Sequence, residues 1–251
     1  MQTTTISCFR FESVAAKLWA FSQMQFARGP LARTPGVLFC KLMGSGTGES
    51  FHPIPNFGVY AVLLVWPSMA DARKGLADST VLANYRKNAA EHLTVYLQTQ
   101  SAWGLWDGLA PFDPNDTDAT ETRPIGVLTR ATLRKGNLYE FWKSVPSVSD
   151  SLKDEPGLIF KLGMGEIPWV QQVTFSIWRD AKDMRKFAYR SGAHADAIRL
   201  AREGKWFKED LFARFRIVAS EGTWAGKKLP LEPAKIEPPS SRSAPTRAAA
   251  L

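Results

Sequence analysis

The strongest constraint on this chain is an internal duplication that runs through most of its length. Pro35-Gly36-Val37-Leu38-Phe39-Cys40-Lys41-Leu42-Met43-Gly44 returns as Pro156-Gly157-Leu158-Ile159-Phe160-Lys161-Leu162-Gly163-Met164-Gly165. Trp66 and Asp71 to Lys74 return as Trp178 and Asp183 to Lys186, both 112 residues later. Ile6 to Arg10 answers Ile125 to Thr129, Lys17 to Phe21 answers Asn137 to Phe141, and Trp106-Asp107-Gly108 answers Trp224-Ala225-Gly226. A period of this length exceeds any solenoid repeat, so each copy is domain-sized.

Both copies read as strand, helix, strand, strand, helix, strand. In the second, Ile125 to Ala131 is an apolar strand, and Leu138, Phe141, Trp142 and Val145 form the stripe of an amphipathic helix. Leu158 to Leu162 follows a Pro-Gly turn. Val173, Phe175 and Ile177 alternate with polar neighbours, as do Leu211, Ala213, Phe215, Ile217 and Ala219. A helical stretch from about Asp180 to Glu203 lies between those two strands. The first copy places strands near 5–11, 37–43, 58–66 and 93–100. This order predicts an α+β fold of two fused ferredoxin-like βαββαβ repeats. One face of each sheet is covered by its helices, so the bare faces are hidden by closure into a pseudo-dimeric α/β barrel. The expected division is a first repeat over 1–108, a linker over 109–123, a second repeat over 124–226 and a disordered tail over 227–251.

Composition narrows the function classes. Nine tryptophans and 12% aromatic residues suit either a pocket for a flat or apolar ligand or an aromatic core between sheets. Two cysteines, Cys8 and Cys40, give no disulfide framework and point to a reducing cytoplasm. The N-terminus has no secretory pattern, and no apolar run reaches membrane-spanning length. The net charge of +8 suits nucleic acid, an anionic membrane face, an acidic partner or simply a solvated surface. Gly44 to Glu49 lacks the Lys-Ser/Thr of a phosphate loop and reads as a rim loop between hairpin strands. Zinc spacings, a nucleophile elbow and paired catalytic carboxylates are missing, so hydrolytic chemistry has no foundation.

The informative histidine is His194, within Phe187-Ala188-Tyr189-Arg190-Ser191-Gly192-Ala193-His194. Ser191 is a good N-cap, so Gly192 opens a helical segment with His194 in its first turn. The matching position of the first copy is Leu82, so an imidazole stands in one copy where the other has an apolar group. The residues alone leave two readings open, a ligand holding one cofactor per chain or an ordinary helix histidine. His52, in a Pro-rich loop, and His92, ending a helix beside Glu91, take ordinary roles.

Several ordered motifs carry a resemblance: Gly44 to Glu49 with Pro53-x-Pro55-Asn56, then Gly165-Glu166-x-Pro168-Trp169 and Phe175-Ser176-Ile177-Trp178. Over residues 5 to 226 the chain resembles the spheroidene monooxygenase family of purple photosynthetic bacteria, which acts on acyclic carotenoids. The stretch from Phe187 to His194, with Trp206-Phe207 downstream, also resembles a motif of wider α/β-barrel proteins, among them aldoxime dehydratases and chlorite dismutases, which hold haem through a helix histidine. The resemblance implies a haem b oxygenase, with iron on His194, Arg190 at a propionate, and Phe187, Trp178 and Trp206 as pocket walls. It implies two hydroxylations at C-2 of spheroidene, giving a keto group, with electrons from a reduced ferredoxin-type donor. Cys40 is the rival axial ligand, since haem hydroxylases commonly use a thiolate. The implied partners are an acyclic carotenoid and a membrane surface, with no nucleic acid. The implied location is the cytoplasmic side of the inner or intracytoplasmic membrane, by peripheral attachment. The rival readings are a cofactor-free carotenoid or lipid-binding module and a haem dehydratase or peroxidase on the same barrel.

Overall fold

The computed structural model describes residues 1–49, 52–114, 123–152, 155–189 and 206–230. The first half runs β1 (Thr3–Arg10), α1 (Val14–Phe26), α2 (Arg28–Ala32), β2 (Phe39–Gly46), β3 (Pro55–Trp66), α3 (Met69–Asp78), α4 (Thr80–Asn88) and β4 (Glu91–Gly104). The second runs β5 (Ile125–Leu133), α5 (Leu138–Ser151), β6 (Leu158–Gly165), β7 (Gln171–Trp178), α6 (Ala181–Tyr189) and β8 (Phe207–Gly222). Serine hydroxyls open three helices of the first half: Ser13, Ser68 and Ser79 accept from the amides of Ala16, Asp71 and Leu82.

The strands close into one antiparallel barrel in the order β1-β3-β2-β6-β7-β5-β8-β4. The expected α/β barrel is therefore present, built by joining the two sheets along both edges. The joins are unequal. Strands β4 and β8 pair from Leu93↔Gly222 to Gly104↔Leu211, whereas β2 and β6 meet only at Gly44↔Gly165 and Ser45↔Met164.

Strand alternation separates two environments. Inward-facing Ile6, Cys8, Ala61, Leu63, Val65, Phe175, Ile177 and Phe215 form a continuous buried core from both halves. Outward-facing Phe9, Tyr60, Val62, Leu64, Trp66 and Tyr96 are covered by the helices of the first half, with Leu82 and Tyr85 of α4 packed on them. On the second half the outer cluster among the described residues comprises Ile125, Val127, Trp178, Ala181, Met184 and Phe187.

Some local expectations need correction. His92 is the second residue of β4 rather than the end of a helix, and its ring stacks on Phe9 at 6.4 Å. Gly44 to Gly46 finish β2, and Thr47 to Glu49 form a 3-10 turn. Phe112 enters the barrel core, with its ring edge-on to Phe215 at 5.2 Å. Leu229 packs against the same core beyond Gly226.

Two matching turns reach across the halves. Trp106 to Leu109 and Trp224 to Lys227 are two-residue turns with reciprocal backbone bonds. Their central residues have positive φ, 52° at Asp107 and Ala225, 76° at Gly108 and 73° at Gly226. The amides of Asp107 and Gly108 donate to Glu209 on β8, while those of Ala225 and Gly226 donate to Glu91 on β4. Arg130 lies 5.7 Å from the Trp106 ring centroid and Arg10 lies 4.4 Å from that of Trp224. Each half thus clasps the other with the tryptophan turn that ends it.

Candidate active site

The short join between β2 and β6 floors a cleft of about 270 Å³. Its lining includes the small residues Gly44, Gly46, Gly163 and Gly165 of β2 and β6, Phe21 and Met24 of α1, and Trp142 of α5. The rim carries Pro53, Phe57, Pro168 and Trp169. Three of the four segments that carry the family resemblance, at Gly44 to Gly46, Pro53 to Asn56 and Gly165 to Trp169, therefore converge on one cleft although they lie in different halves, while Phe175 to Trp178 lies apart from it. Backbone packing explains one glycine. A Cβ on Gly165 would stand 2.4 Å from the carbonyl oxygen of Gln171. Trp169 has a φ of 64° and its indole donates to the Pro53 carbonyl at 2.8 Å, which ties the second half's turn to the first half's hairpin. The Trp142 indole donates to the Trp169 carbonyl at 3.2 Å.

A charged network backs the cleft. The Glu166 carboxylate accepts from the Trp106 indole at 2.8 Å and from Lys41 Nζ at 3.0 Å. Lys41 also pairs with Asp107, which accepts from Arg130 at 3.0 Å, and Arg130 pairs with Glu209. Burial alone would raise the Glu209 carboxyl, but the amides of Gly108 and Asp107 and the Arg130 guanidinium outweigh it and hold the group below its ordinary range. Glu91 is held low in the same way, its burial outweighed by Gly226, Thr223, Ala225 and Arg10. Among the described residues no cluster of three or more His, Cys, Asp or Glu side chains is placed to hold a metal ion.

The sequence-derived site residues fall in separate places. Trp178 and Phe187 come together, with ring centroids 5.3 Å apart between the outer face of β7 and α6. Register puts Val127, Ser176 and Arg214 in one row of that outer sheet face, beside the row of Ile125, Trp178 and Arg216. Arg214 Nε is buried and has no hydrogen-bond partner among the described residues. An aromatic pair and a half-buried cation on the same sheet face fit the apolar ring and carboxylate edge of a haem. The equivalent first-half face is filled by Leu82, Tyr85 and aromatic side chains. His194 and Arg190 lie outside the described residues. Trp206 does not join Trp178: it precedes Phe207, which pairs with Leu133, while Trp178 pairs with Ile125 at the other end of β5. The separation along that strand is about 26 Å. Cys40 faces outward in the first half's layer, against Leu42 and Leu64, and burial pushes its thiol up to about 11. It is a poor thiolate donor there, in a different layer from Trp178 and Phe187.

Sequence reasoning did not single out Phe21, Met24 or Trp142 as cleft walls. For Trp142 the local signal was membership of an apolar helix stripe, which normally means core.

No protein-family model matches the chain. A spheroidene monooxygenase of Cereibacter sphaeroides is 44% identical over 228 residues, covering 90% of this chain and 70% of that protein. One from Rhodobacter capsulatus is 43% identical over 228 residues, covering 90% and 95%. One from Rubrivivax gelatinosus is 32% identical over 216 residues, covering 85% and 82%. Among solved structures, an aldoxime dehydratase (OxdRE) in complex with butyraldoxime aligns with a TM-score of 0.61 at 10% identity, covering 88% of this chain and 82% of that one. Another aldoxime dehydratase aligns with a TM-score of 0.58 at 11% identity, covering 86% and 81%. These structures share the barrel fold.

Proposed function

Since the chain belongs to the spheroidene monooxygenase family, we propose that it oxidises an acyclic carotenoid at C-2, near one end of the polyene, and uses haem b to do so. The observation that carries the reading is the convergence of the family-like segments of both halves on one aromatic-walled cleft. A cleft of about 270 Å³ is small for a whole carotenoid and suits entry of one end. Phe21, Met24 and Trp142 supply apolar walls for that end, and the glycine floor lets a flat chain lie close to the strands.

Haem b would be held on the second half by His194 as iron ligand and Arg190 at a propionate. Trp178 and Phe187 would line the ring, and the half-buried Arg214 on the same sheet face would offer a cation. Haem there would activate dioxygen with electrons from a reduced ferredoxin-type donor. The outer faces of β6 and β7 run from the cleft at Gln172 toward Trp178, a span of about 20 Å. A polyene reaching from the cleft to the cofactor would lie along that face. Two hydroxylations at one carbon give a gem-diol, which loses water to leave the ketone. Each consumes one dioxygen, two electrons and two protons and releases one water.

The test expresses the protein in a host that makes spheroidene under heavy oxygen gas. The expected product is the 2-keto carotenoid, labelled when extracted before carbonyl exchange. Haem content and the Soret band of His194→Ala are measured beside it, and loss of both is expected. No keto product from haem-loaded protein with a working donor would favour a dehydratase. Absence of haem in the wild-type protein would favour a binding module.

A further inference from the structure

Helix α1 is apolar on two sides. Ala20 is buried and Ala16, Trp19 and Met24 pack against the first half's core, yet Val14, Leu18 and Phe21 on the opposite stripe are 73%, 65% and 55% exposed. Soluble helices rarely present such a stripe to water. The stripe continues into the cleft's rim. Phe21 packs edge-on against Phe57 at 5.5 Å, and Phe57 is 52% exposed. Ile54 and Trp169 are 61% and 53% exposed, and Trp169 is tied to Pro53 beside Ile54. Phe21, Phe57 and Trp169 all line the cleft. One apolar surface thus surrounds its mouth.

Along the first half's side of this surface, between Glu12 and Glu49, the charges are basic, and Glu166 at the cleft is paired with Lys41. From Ser13 to Gly48 the charged residues are Lys17, Arg28, Arg33 and Lys41, with no acidic residue. Lys41 is held in the network behind the cleft, while Lys17, Arg28 and Arg33 stand on α1, on α2 and just after it. Exposed apolar side chains beside unopposed basic ones match an acyl boundary beneath anionic headgroups. A second copy of the chain seated here would cover the cleft's mouth; a bilayer would supply what enters it.

The geometry points to docking on an anionic phospholipid bilayer through Val14, Leu18, Phe21, Ile54, Phe57 and Trp169. The cleft then opens directly into the acyl region, so a polyene enters end-first without crossing water. The choice of polyene rests on the carotenoid reading; the docking surface does not.

The test is flotation with phosphatidylcholine vesicles, with and without phosphatidylglycerol, using the full chain. Val14→Glu/Leu18→Glu changes two exposed residues that do not line the cleft, and the acidic group at position 14, in the first turn of α1, favours folding. This variant should keep its circular dichroism and bind vesicles about a hundredfold more weakly, from ~1.5 kcal/mol for each apolar side chain. Lys17→Gln and Arg28→Gln should each weaken binding to the anionic vesicles about fivefold, from ~1 kcal/mol per basic side chain. The double variant should convert detergent-dispersed carotenoid as wild type does and lose conversion of vesicle-embedded carotenoid. Vesicle binding without any carotenoid conversion by wild type would uphold the docking surface and defeat the substrate reading. Wild type that does not float overturns the inference, and so does a double variant that floats equally well. A variant that changes only from dimer to monomer overturns it in favour of a second copy.

Discussion

Removing Glu209 should expose how much the barrel depends on its tryptophan clasps. The Arg130 side chain is 1% exposed, and its ion-pair partners are Glu209 and Asp107, the latter 45% exposed. Glu209→Ala deletes the Arg130 pair and the acceptor for the amides of Asp107 and Gly108, at 3.0 and 2.7 Å. Breaking a buried ion pair from one side costs about 3–5 kcal/mol. The remaining Asp107 contact and the partial exposure of Glu209 place the expected loss near the lower bound, about 3 kcal/mol. For a chain of this size that is roughly 6–12 °C in Tm. Denaturation in guanidinium chloride, followed by circular dichroism and tryptophan fluorescence, measures it. Arg130→Met/Glu209→Leu should recover more than half of the loss, because it removes the stranded charge as well. A cost under about 1 kcal/mol for the single variant, or a double variant no better than the single, would refute the reasoning, since Arg130 would then reach solvent on its own.

Stability should also fall in acid. Glu91 and Glu209 are both held below their ordinary carboxyl range in the folded state, so their contribution is complete above the unfolded carboxyl pKa and is lost as pH falls through the depressed values; denaturant midpoints across that range check it. Gly165→Ala should disturb the β2/β6 join, because its Cβ meets the Gln171 carbonyl at 2.4 Å, and should reduce carotenoid turnover at least tenfold while leaving secondary structure intact. At pH 8 the Cys40 thiolate fraction is roughly one in a thousand given a thiol near 11, so maleimide labelling should be far slower than for a free thiol, and Cys40→Ser should keep its haem. Truncation after Pro230 should leave the fold unchanged, whereas truncation after Gly226 removes Leu229 from the core and should cost about 1–2 kcal/mol in denaturant unfolding.

Much of the architecture was legible because its signals are local. The repeated strand and helix periodicities required only neighbours in the chain, and two such units with one uncovered sheet face each had to close on each other. The alternation in Val173 to Ile177 and in Leu211 to Ala219 named the inner face of β7 and of β8 correctly at Val173, Phe175, Ile177, Leu211, Ala213 and Phe215. The grouping of the site was not legible in this way. Trp178 and Trp206 bracket α6, but antiparallel register sends their strand ends to opposite ends of β5. Trp142 read as part of a core-facing helix stripe, yet it lines the cleft together with Phe21 and Met24.

By itself the sequence determined the duplicated βαββαβ order, the alternation that defines the barrel's interior, and the motifs that assign the family. The tertiary structure alone decided that β2 and β6 barely pair, so that a cleft opens between Gly44 and Gly165, and that each half's tryptophan turn is clasped by a glutamate of the other. It also decided that Cys40 lies in the first half's outer layer, apart from Trp178 and Phe187. The reason is physical. Periodicity reports which face of an element is apolar, whereas register and edge pairing join residues far apart in the chain and carry no signal in local spacing.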